Sequence, residues 1–451
     1  MTTNLLKTYQ LQSDKLLLPK RQLIITYALS ALIAVALLYL LVDPAPAAPA
    51  STRPSVAAPW IQEELPPPSS PAPYQGDDES LRSAPPQAQV LAAAAAPCDY
   101  TDGEWVPDPR PPLYNGTTCD IIKDGRSCTA NGQTDTGYVH WRWQPRRCDL
   151  PAFSPAAFLR WLRNRHMAFV GDSLARNQAE SLMCLLSSRS PPELVDRDAD
   201  SRFRRWVFRE YNATVSIFWS PLLVRGVEKS ERDGVRYNQL FLDAFDERWM
   251  SQLFGGGGVD AAVLSAGHWF KIPSIYHRGG GVVGCHGCAP ELNYTETSFL
   301  GVFRDAVRRT LTEAARRGRD AGAGEEREKL VAFTTFSPSH FEGDWDKGAP
   351  CPKKRPYKSG EKELGYTEAE MRKIVVEEVA AAAASGSSAV RFAALDVTTL
   401  ADLRPDGHPG PYSRKNPFAG GGRVQNDCLH WCMPGPVDTF NQILLQTILR
   451  R

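Results

Sequence analysis

The chain has 451 residues, with 52 basic and 51 acidic side chains and a formal net charge of +1. That length can bury one large core or two moderate ones. The charge balance excludes a general electrostatic pull toward nucleic acid or an anionic membrane surface, so any charged ligand would need a local patch.

From the N-terminus, residues 23–42 (LIITYALSALIAVALLYLLV) form an apolar run without one charge. At about 1.5 Å per residue it covers the roughly 30 Å hydrocarbon core of a bilayer. Lys7, Lys15, Lys20 and Arg21 precede it, and no basic residue follows until Arg53. The positive-inside rule then puts residues 1–22 in the cytosol and the rest across the membrane. A cleaved signal peptide is the alternative, but the apolar region is long for one and the basic segment ahead of it is extended. The expectation is a retained single-pass anchor. Residues 43–97 are rich in Pro and Ala with few large apolar side chains, so they form no core and read as an extended stem.

All ten cysteines lie beyond residue 97, on the translocated side, and an even count there points to disulfides. Three N-x-S/T sequons lie there too, at Asn115, Asn212 and Asn293. Residues 98–150 hold four cysteines, three tryptophans and many turn residues, which suggests a small loop-rich module held by disulfides and packed on the next region of the chain.

From residue 151 to 451 the pattern becomes strand then helix. Met167–Val170, Ala261–Leu264, Leu330–Phe333 and Val390–Val397 are short apolar runs suited to buried parallel strands. Helices are predicted over Leu174–Leu186, Thr297–Arg317, Glu368–Ala384 and Pro436–Arg450, with a charged loop at 318–328. Such alternation argues a doubly wound αβα domain of the α/β class.

Gly171-Asp172-Ser173 comes directly after the first strand, at the sheet edge where open α/β folds bind ligands. A hydroxyl there faces the free N–H groups of the next helix, which suit an oxyanion, although serine is also a favoured N-cap. Asp427-Cys-Leu-His430 lies just before the last helix. An imidazole can activate a serine, and a carboxylate can fix its tautomer, so Ser173, His430 and Asp427 are the candidate triad. Cys428 and Cys432 flank His430, and Cys285 and Cys288 enclose His286. Both clusters read as disulfides rather than zinc sites, because the spacing is unusual for tetrahedral zinc, so no metal is expected. The glycine clusters at 255–258 and 420–422 lack the strand-turn-helix setting of a phosphate loop.

GDS after an early strand and DxxH before the last helix match the GDSL/SGNH esterase plan. The longer blocks FVGDSLARNQ (169–178), NDCLHWCMPGPVD (426–438), CDYTDGEWVPD, PLYNGTTC and WRWQPRRCDLPAF closely resemble the plant trichome birefringence-like family, a PC-esterase domain behind a cysteine-rich module. The resemblance covers about residues 98–449. It implies an SGNH-hydrolase-like fold and a Golgi-membrane, lumen-facing polysaccharide O-acetyltransferase working through an acetyl-serine. In that scheme Ser173 is the nucleophile, His430 the base and Asp427 its orienting partner. The resemblance also implies bridges Cys98–Cys148, Cys119–Cys184, Cys128–Cys432 and Cys351–Cys428, leaving Cys285–Cys288 as a local pair. It makes acetyl-CoA or another Golgi acetyl donor the acyl source, with no bound cofactor.

Gly171 and Asp172 belong to the nucleophile block. Arg176 and Asn177 lie one turn beyond Ser173, where they would line the pocket or simply pack. Gly267 and His268, after the second strand, are oxyanion or substrate candidates, with a structural histidine as the alternative. Trp269, Phe270 and Trp431 would offer sugar platforms unless they are core. SAGHWF, FTTFSPSHFEGDWD and LRPDGHPGPY most resemble the branch that contains xyloglucan acetyltransferases. Mannan and xylan are the alternative acceptors, and the 318–328 loop departs from that branch. An acetyl-esterase with the same triad, or a non-catalytic polysaccharide scaffold, are the rival functions. No nucleic-acid partner is expected.

Overall fold

The computed structural model describes residues 98–450, apart from 255–257, 322–327, 345–346, 386–388 and 420–423. The predicted tail (1–22), anchor (23–42) and stem (43–97) lie outside the described residues. Among the described residues no helix is long and apolar enough to cross a membrane.

The first module is built on β1 (Gly103–Pro107) and β2 (Trp141–Pro145), antiparallel with Trp105 opposite Trp143. Its links run outward. Trp105 donates its indole N–H to the Leu400 carbonyl at 2.8 Å, and the Arg404 guanidinium lies 4.4 Å over the same ring. Cys98–Cys148 closes the module on itself, whereas Cys119–Cys184 and Cys128–Cys432 bind it to the larger domain. With Cys351–Cys428, the four bridged pairs have Cα atoms 5.5 to 5.8 Å apart, and they are the four implied by the resemblance. The fifth implied pair is a correction. Cys285 and Cys288 are both thiols: the Cys288 sulfur lies 3.8 Å from the Ser274 carbonyl and has Cys285 as a hydrogen-bond partner, in place of a bond between the two sulfurs.

The larger domain runs α1 (Pro155–Leu162), β3 (His166–Gly171), α2 (Ser173–Ser187), β4 (Glu193–Arg197), β5 (Phe203–Phe208) and β6 (Ala213–Trp219). Then come β7 (Val224–Val227), β8 (Asn238–Phe245), α3 (Glu247–Phe254), β9 (Ala261–Ser265), β10 (Ser274–Arg278), β11 (Gly281–His286) and α4 (Phe299–Ala321). The chain closes with β12 (Lys329–Thr334), α5 (Tyr366–Ala384), β13 (Val390–Leu395), α6 (Thr398–Asp402) and α7 (Val437–Leu449).

Seven strands form the main sheet in the order β13-β12-β9-β3-β6-β5-β4. The first five are parallel, and β5 and β4 extend the sheet antiparallel. The pleat of β3 divides the core. Met167 and Phe169 pack with α1, α2 and α7, while Ala168 and Val170 pack with α3, α4 and α5. Helices on both faces are what the strand–helix alternation predicts. In α7, Val437, Phe440, Ile443, Leu444 and Ile448 are all buried, and each such side chain contributes about 1.5–3 kcal/mol. The outer strand β4 (ELVDR) is exposed along its length and charged, which blunts an otherwise open sheet edge. A second, four-stranded sheet, β11-β10-β8-β7, has no counterpart among the strands predicted from apolar runs.

All three sequon asparagines are exposed, and Asn212 and Asn293 adopt left-handed backbone conformations.

Candidate active site

The site forms where β3 ends. Gly171 has φ 149°, and a Cβ there would lie 1.7 Å from the Ser265 carbonyl oxygen at the end of neighbouring β9. Only glycine lets the two strand ends approach, after which Asp172 N–H donates to that same carbonyl at 3.2 Å. Gly171→Ala should therefore lose about 4 kcal/mol, from a disfavoured φ together with an overpacked contact. Urea unfolding with activity measured alongside tests this, and an unchanged midpoint would refute it.

Asp172, not Ser173, is the helix N-cap: its carboxylate accepts from Leu174 N–H at 2.9 Å. Burial pushes the Asp172 carboxyl up to about 6, against the pull of the Leu174 amide and His430. The cap thus occupies the Leu174 N–H that the sequence offered to an oxyanion. Ser173 becomes the first helical residue, half-buried, with its hydroxyl relieved of capping.

The second half is the loop before α7. His430 Nδ1–H donates to Asp427 Oδ2 at 2.8 Å, while Asp427 Oδ1 accepts the Leu429 and His430 amides at 3.1 and 3.0 Å. Both side chains keep about a fifth of their surface exposed, 21% for His430 and 23% for Asp427. Burial alone would raise the Asp427 carboxyl. The His430 charge and these N–H donors outweigh it and hold the group well below the usual carboxylate range. With Nδ1 carrying the proton, Nε2 is the acceptor, and it has no hydrogen-bond partner. The Ser173–His430 hydrogen bond expected from the triad is therefore not closed here. A serine hydroxyl on the first helical residue is a free rotor, and such contacts tighten when substrate binds. A lone pair left unclaimed on Nε2 is what a base awaiting a hydroxyl proton requires.

Two contacts hold these halves together. Asn177 clamps the backbone of Trp431, accepting its N–H at 2.8 Å and donating to its carbonyl at 3.3 Å. Arg126, from the first module, donates to the Ser173 carbonyl at 3.0 Å and pairs with buried Glu180 at 2.5 Å. Its own carbonyl accepts Met433 N–H at 3.0 Å, beside the Cys128–Cys432 bridge. No sequence motif marks Arg126, although its position two residues before Cys128, once paired with Cys432, is a signal that could have found it.

The remaining candidates separate by burial. Asn177 is fully buried and positions the loop rather than lining a pocket. Arg176 donates to the Ser201 carbonyl at 3.0 Å and lies 5.2 Å over the Trp219 ring. Gly267 is glycine because Phe336 comes within 2.6 Å of where a Cβ would be. His268 is held neutral, its pKa pushed down to about 3 by burial, and its Nε2 donates to the Ser337 carbonyl at 2.9 Å. That ring is a structural histidine, with its Nε2–H already committed. Trp431 and Phe270 are core, not platforms: Trp431 is 0% exposed and bonds Ser337 Oγ at 3.0 Å through its indole. Trp269 stays half-buried and meets Trp219 edge-on at 5.6 Å. Trp219, opposite Gly171 in the β3–β6 register, is an aromatic at the active edge that the motifs do not single out. Cys428 and Cys432 are both bridged, so neither sulfur is available to a metal.

The sequence family described as PC-Esterase, a GDSL/SGNH-like acyl-esterase family found in Pmr5 and Cas1p, matches residues 150–447. The PMR5 N-terminal domain matches residues 96–149. Xyloglucan O-acetyltransferase 2 of Populus trichocarpa is 55% identical over 356 residues, which is 78% of this chain and 82% of that protein. Xyloglucan O-acetyltransferase 1 of Arabidopsis thaliana is 50% identical over 357 residues, covering 78% and 80%. Protein trichome birefringence-like 26 of Arabidopsis thaliana is 39% identical over 370 residues, covering 81% and 80%.

Proposed function

The chain belongs to the PC-esterase family of GDSL/SGNH-like acyl-esterases, with a PMR5 N-terminal domain ahead of it, and on that premise we propose that it is a xyloglucan O-acetyltransferase working through an acetyl-serine on Ser173. The observation that carries the mechanism is His430, oriented by Asp427 through Nδ1 and unpartnered at Nε2, on a loop clamped to the helix that begins at Ser173. His430 Nε2 takes the Ser173 hydroxyl proton as Oγ attacks the acetyl carbonyl. The donor leaves with that proton. An acceptor sugar hydroxyl then gives its proton to Nε2 and attacks the acetyl-serine, and Ser173 recovers its hydrogen. Asp427 remains a carboxylate throughout and stabilises the transient imidazolium.

The acyl source is acetyl-CoA or another acetyl donor. The charge and hydropathy of the N-terminal sequence support a cytosolic tail and an anchor over residues 23–42, the family resemblance supports a Golgi-lumenal catalytic domain, and the sequons at Asn115, Asn212 and Asn293 would carry glycans there. Four disulfides support that placement.

A neutral acceptor rests on the relatives rather than on local charge: Arg126 and Arg204 share the Glu180 carboxylate, Arg176 lies on Trp219, and with Lys123 beside them the group around α2 keeps a net positive charge. Trp219 and Trp269 supply the apolar surface that sugar C–H faces pack on. Trp269→Ala or Trp219→Ala should raise the acceptor KM about tenfold, the order of one aromatic contact, and leave acetyl-serine formation unchanged. Equal loss in both half-reactions would contradict the platform role. The decisive assay incubates the protein with labelled acetyl donor and deacetylated xyloglucan, mannan and xylan oligosaccharides. Label on xyloglucan supports the proposal, label only on mannan or xylan moves the acceptor, and free acetate alone makes the protein an esterase.

A further inference from the structure

Behind His430 lies a pair of histidines that the reaction does not use. His408 and His340 are 4% and 9% exposed. His408 Nδ1 is 2.8 Å from the His430 carbonyl oxygen, His408 Nε2 is 2.7 Å from His340 Nδ1, and His340 Nε2 is 2.8 Å from the Asp402 carbonyl oxygen. Carbonyl oxygens only accept, so both terminal nitrogens must carry hydrogens. The central nitrogen–nitrogen contact needs one more. Three hydrogens are required on four nitrogens, and two neutral imidazoles carry only two.

We propose that the arrangement seen here is the proton-charged state of the His340–His408 pair, in which one extra proton shared between the rings closes all three contacts and fixes the backbone of catalytic His430. The proposal rests on the assignment of His430 as base, and makes His408 and His340 positioning residues. The surroundings fit a shared positive charge. The Trp431 indole stacks on His408 at 4.2 Å with planes 20° apart, a face a cation prefers. Asp402 Oδ1 lies 3.9 Å from His340 Nε2, and Asp406 and Asp427 also favour the charge. Lys362, Arg404 and His430 oppose it, Lys362 and Arg404 being themselves engaged by Asp402 and Asp406. Burial acts against the charge as well, pushing His340 down to about 4 and His408 well below an ordinary imidazole. The third proton is therefore bound on the acid side and leaves as pH rises. One contact then faces lone pair to lone pair, and the chain from Asp402 to His430 must open somewhere.

The test counts protons directly. Imidazole 15N spectra of the full labelled chain are recorded from about pH 4 to 8, the span over which a histidine pair changes charge. His340→Asn assigns the signals and also removes the need for the extra proton, because its side-chain N–H₂ can donate to His408 Nε2 while His408 stays neutral. The expected result is a wild-type pair that gains a third proton toward acid, absent in the variant. Acetyl-serine formation by the wild type should weaken as that proton leaves, relative to His340→Asn, whose profile should lack this step. His408→Phe should lower kcat about tenfold on the acid side, one lost hydrogen bond, with the deficit shrinking as pH rises and the wild-type chain opens, and with acceptor KM unchanged. Two protons on the pair throughout, or a step that survives in His340→Asn, would overturn the proposal. Loss of Ser173 acetylation in the wild type at all pH values would instead count against the triad, whatever the proton count.

Discussion

Ser173→Ala should reduce acetyl transfer about 10⁵-fold, as removal of a triad nucleophile does elsewhere. Stability should hardly change, within about 0.5 kcal/mol, because Asp172 caps the helix and the Ser173 backbone carbonyl still accepts from Arg126. The two-step chemistry adds a separate readout. Wild-type protein mixed with donor and no acceptor should carry one acetyl group on the peptide containing Ser173, and the variant none. Transfer retained above about one per cent, or an acetyl group on another residue, would rule out the covalent route.

Asp427→Asn is the second large effect, about 10⁴-fold in turnover. An amide N–H₂ facing Nδ1 would move the imidazole hydrogen to Nε2, where the lone pair is needed. Rotated the other way, the amide would turn that N–H₂ against the Leu429 and His430 amides, which the carboxylate now satisfies. Binding of donor and acceptor should persist, so the loss appears in kcat. The pH response has a defined sign. The folded Asp427 carboxyl lies below its unfolded value of about 3.9, so its stabilisation is complete above roughly pH 4 and fades only as pH falls further. Any fall in activity on moderate acidification is thus not a titration of Asp427. An Asp427→Asn protein with near-normal kcat would remove the aspartate from the mechanism.

Legibility in the sequence tracks burial for much of the sheet, although buried β6 is in no predicted run and half-buried β13 is in one. Strands β3, β9 and β12 sit inside the sheet with helices on both faces, so every residue is apolar-facing and the runs stand out. The predicted helices at 297–317, 368–384 and 436–450 match α4, α5 and α7 to within about four residues. Strands β4, β5, β7 and β8 give no such signal. β4 is wholly exposed, β7 mostly so, and β5 and β8 mix half-buried with buried positions, leaving patterns like FRRWVF without a continuous apolar run. At the site, residue type announces chemistry but not direction. Asn177 and Trp431 read as pocket residues and instead hold each other inside the protein. Trp219 and Arg126 do reach the site, yet neither belongs to a short motif, since each is brought there by strand register or by a distant disulfide. His340 and His408 are 68 residues apart and meet only because the 404–410 segment folds under the catalytic loop.

The Cys128–Cys432 bridge spans 304 residues of sequence, and that makes the enzyme's competence a matter of timing. Ser173 is synthesised early, but the base that would activate it lies two residues before the distal cysteine. During synthesis, no intermediate can acquire a working nucleophile until His430 has been made, and Cys128–Cys432 then ties its loop to the first module. A chain caught before that bridge forms should contain a formed sheet and a serine without a partner. Acetyl transfer would then depend on the state of the Cys128–Cys432 pair, whatever the state of the sheet.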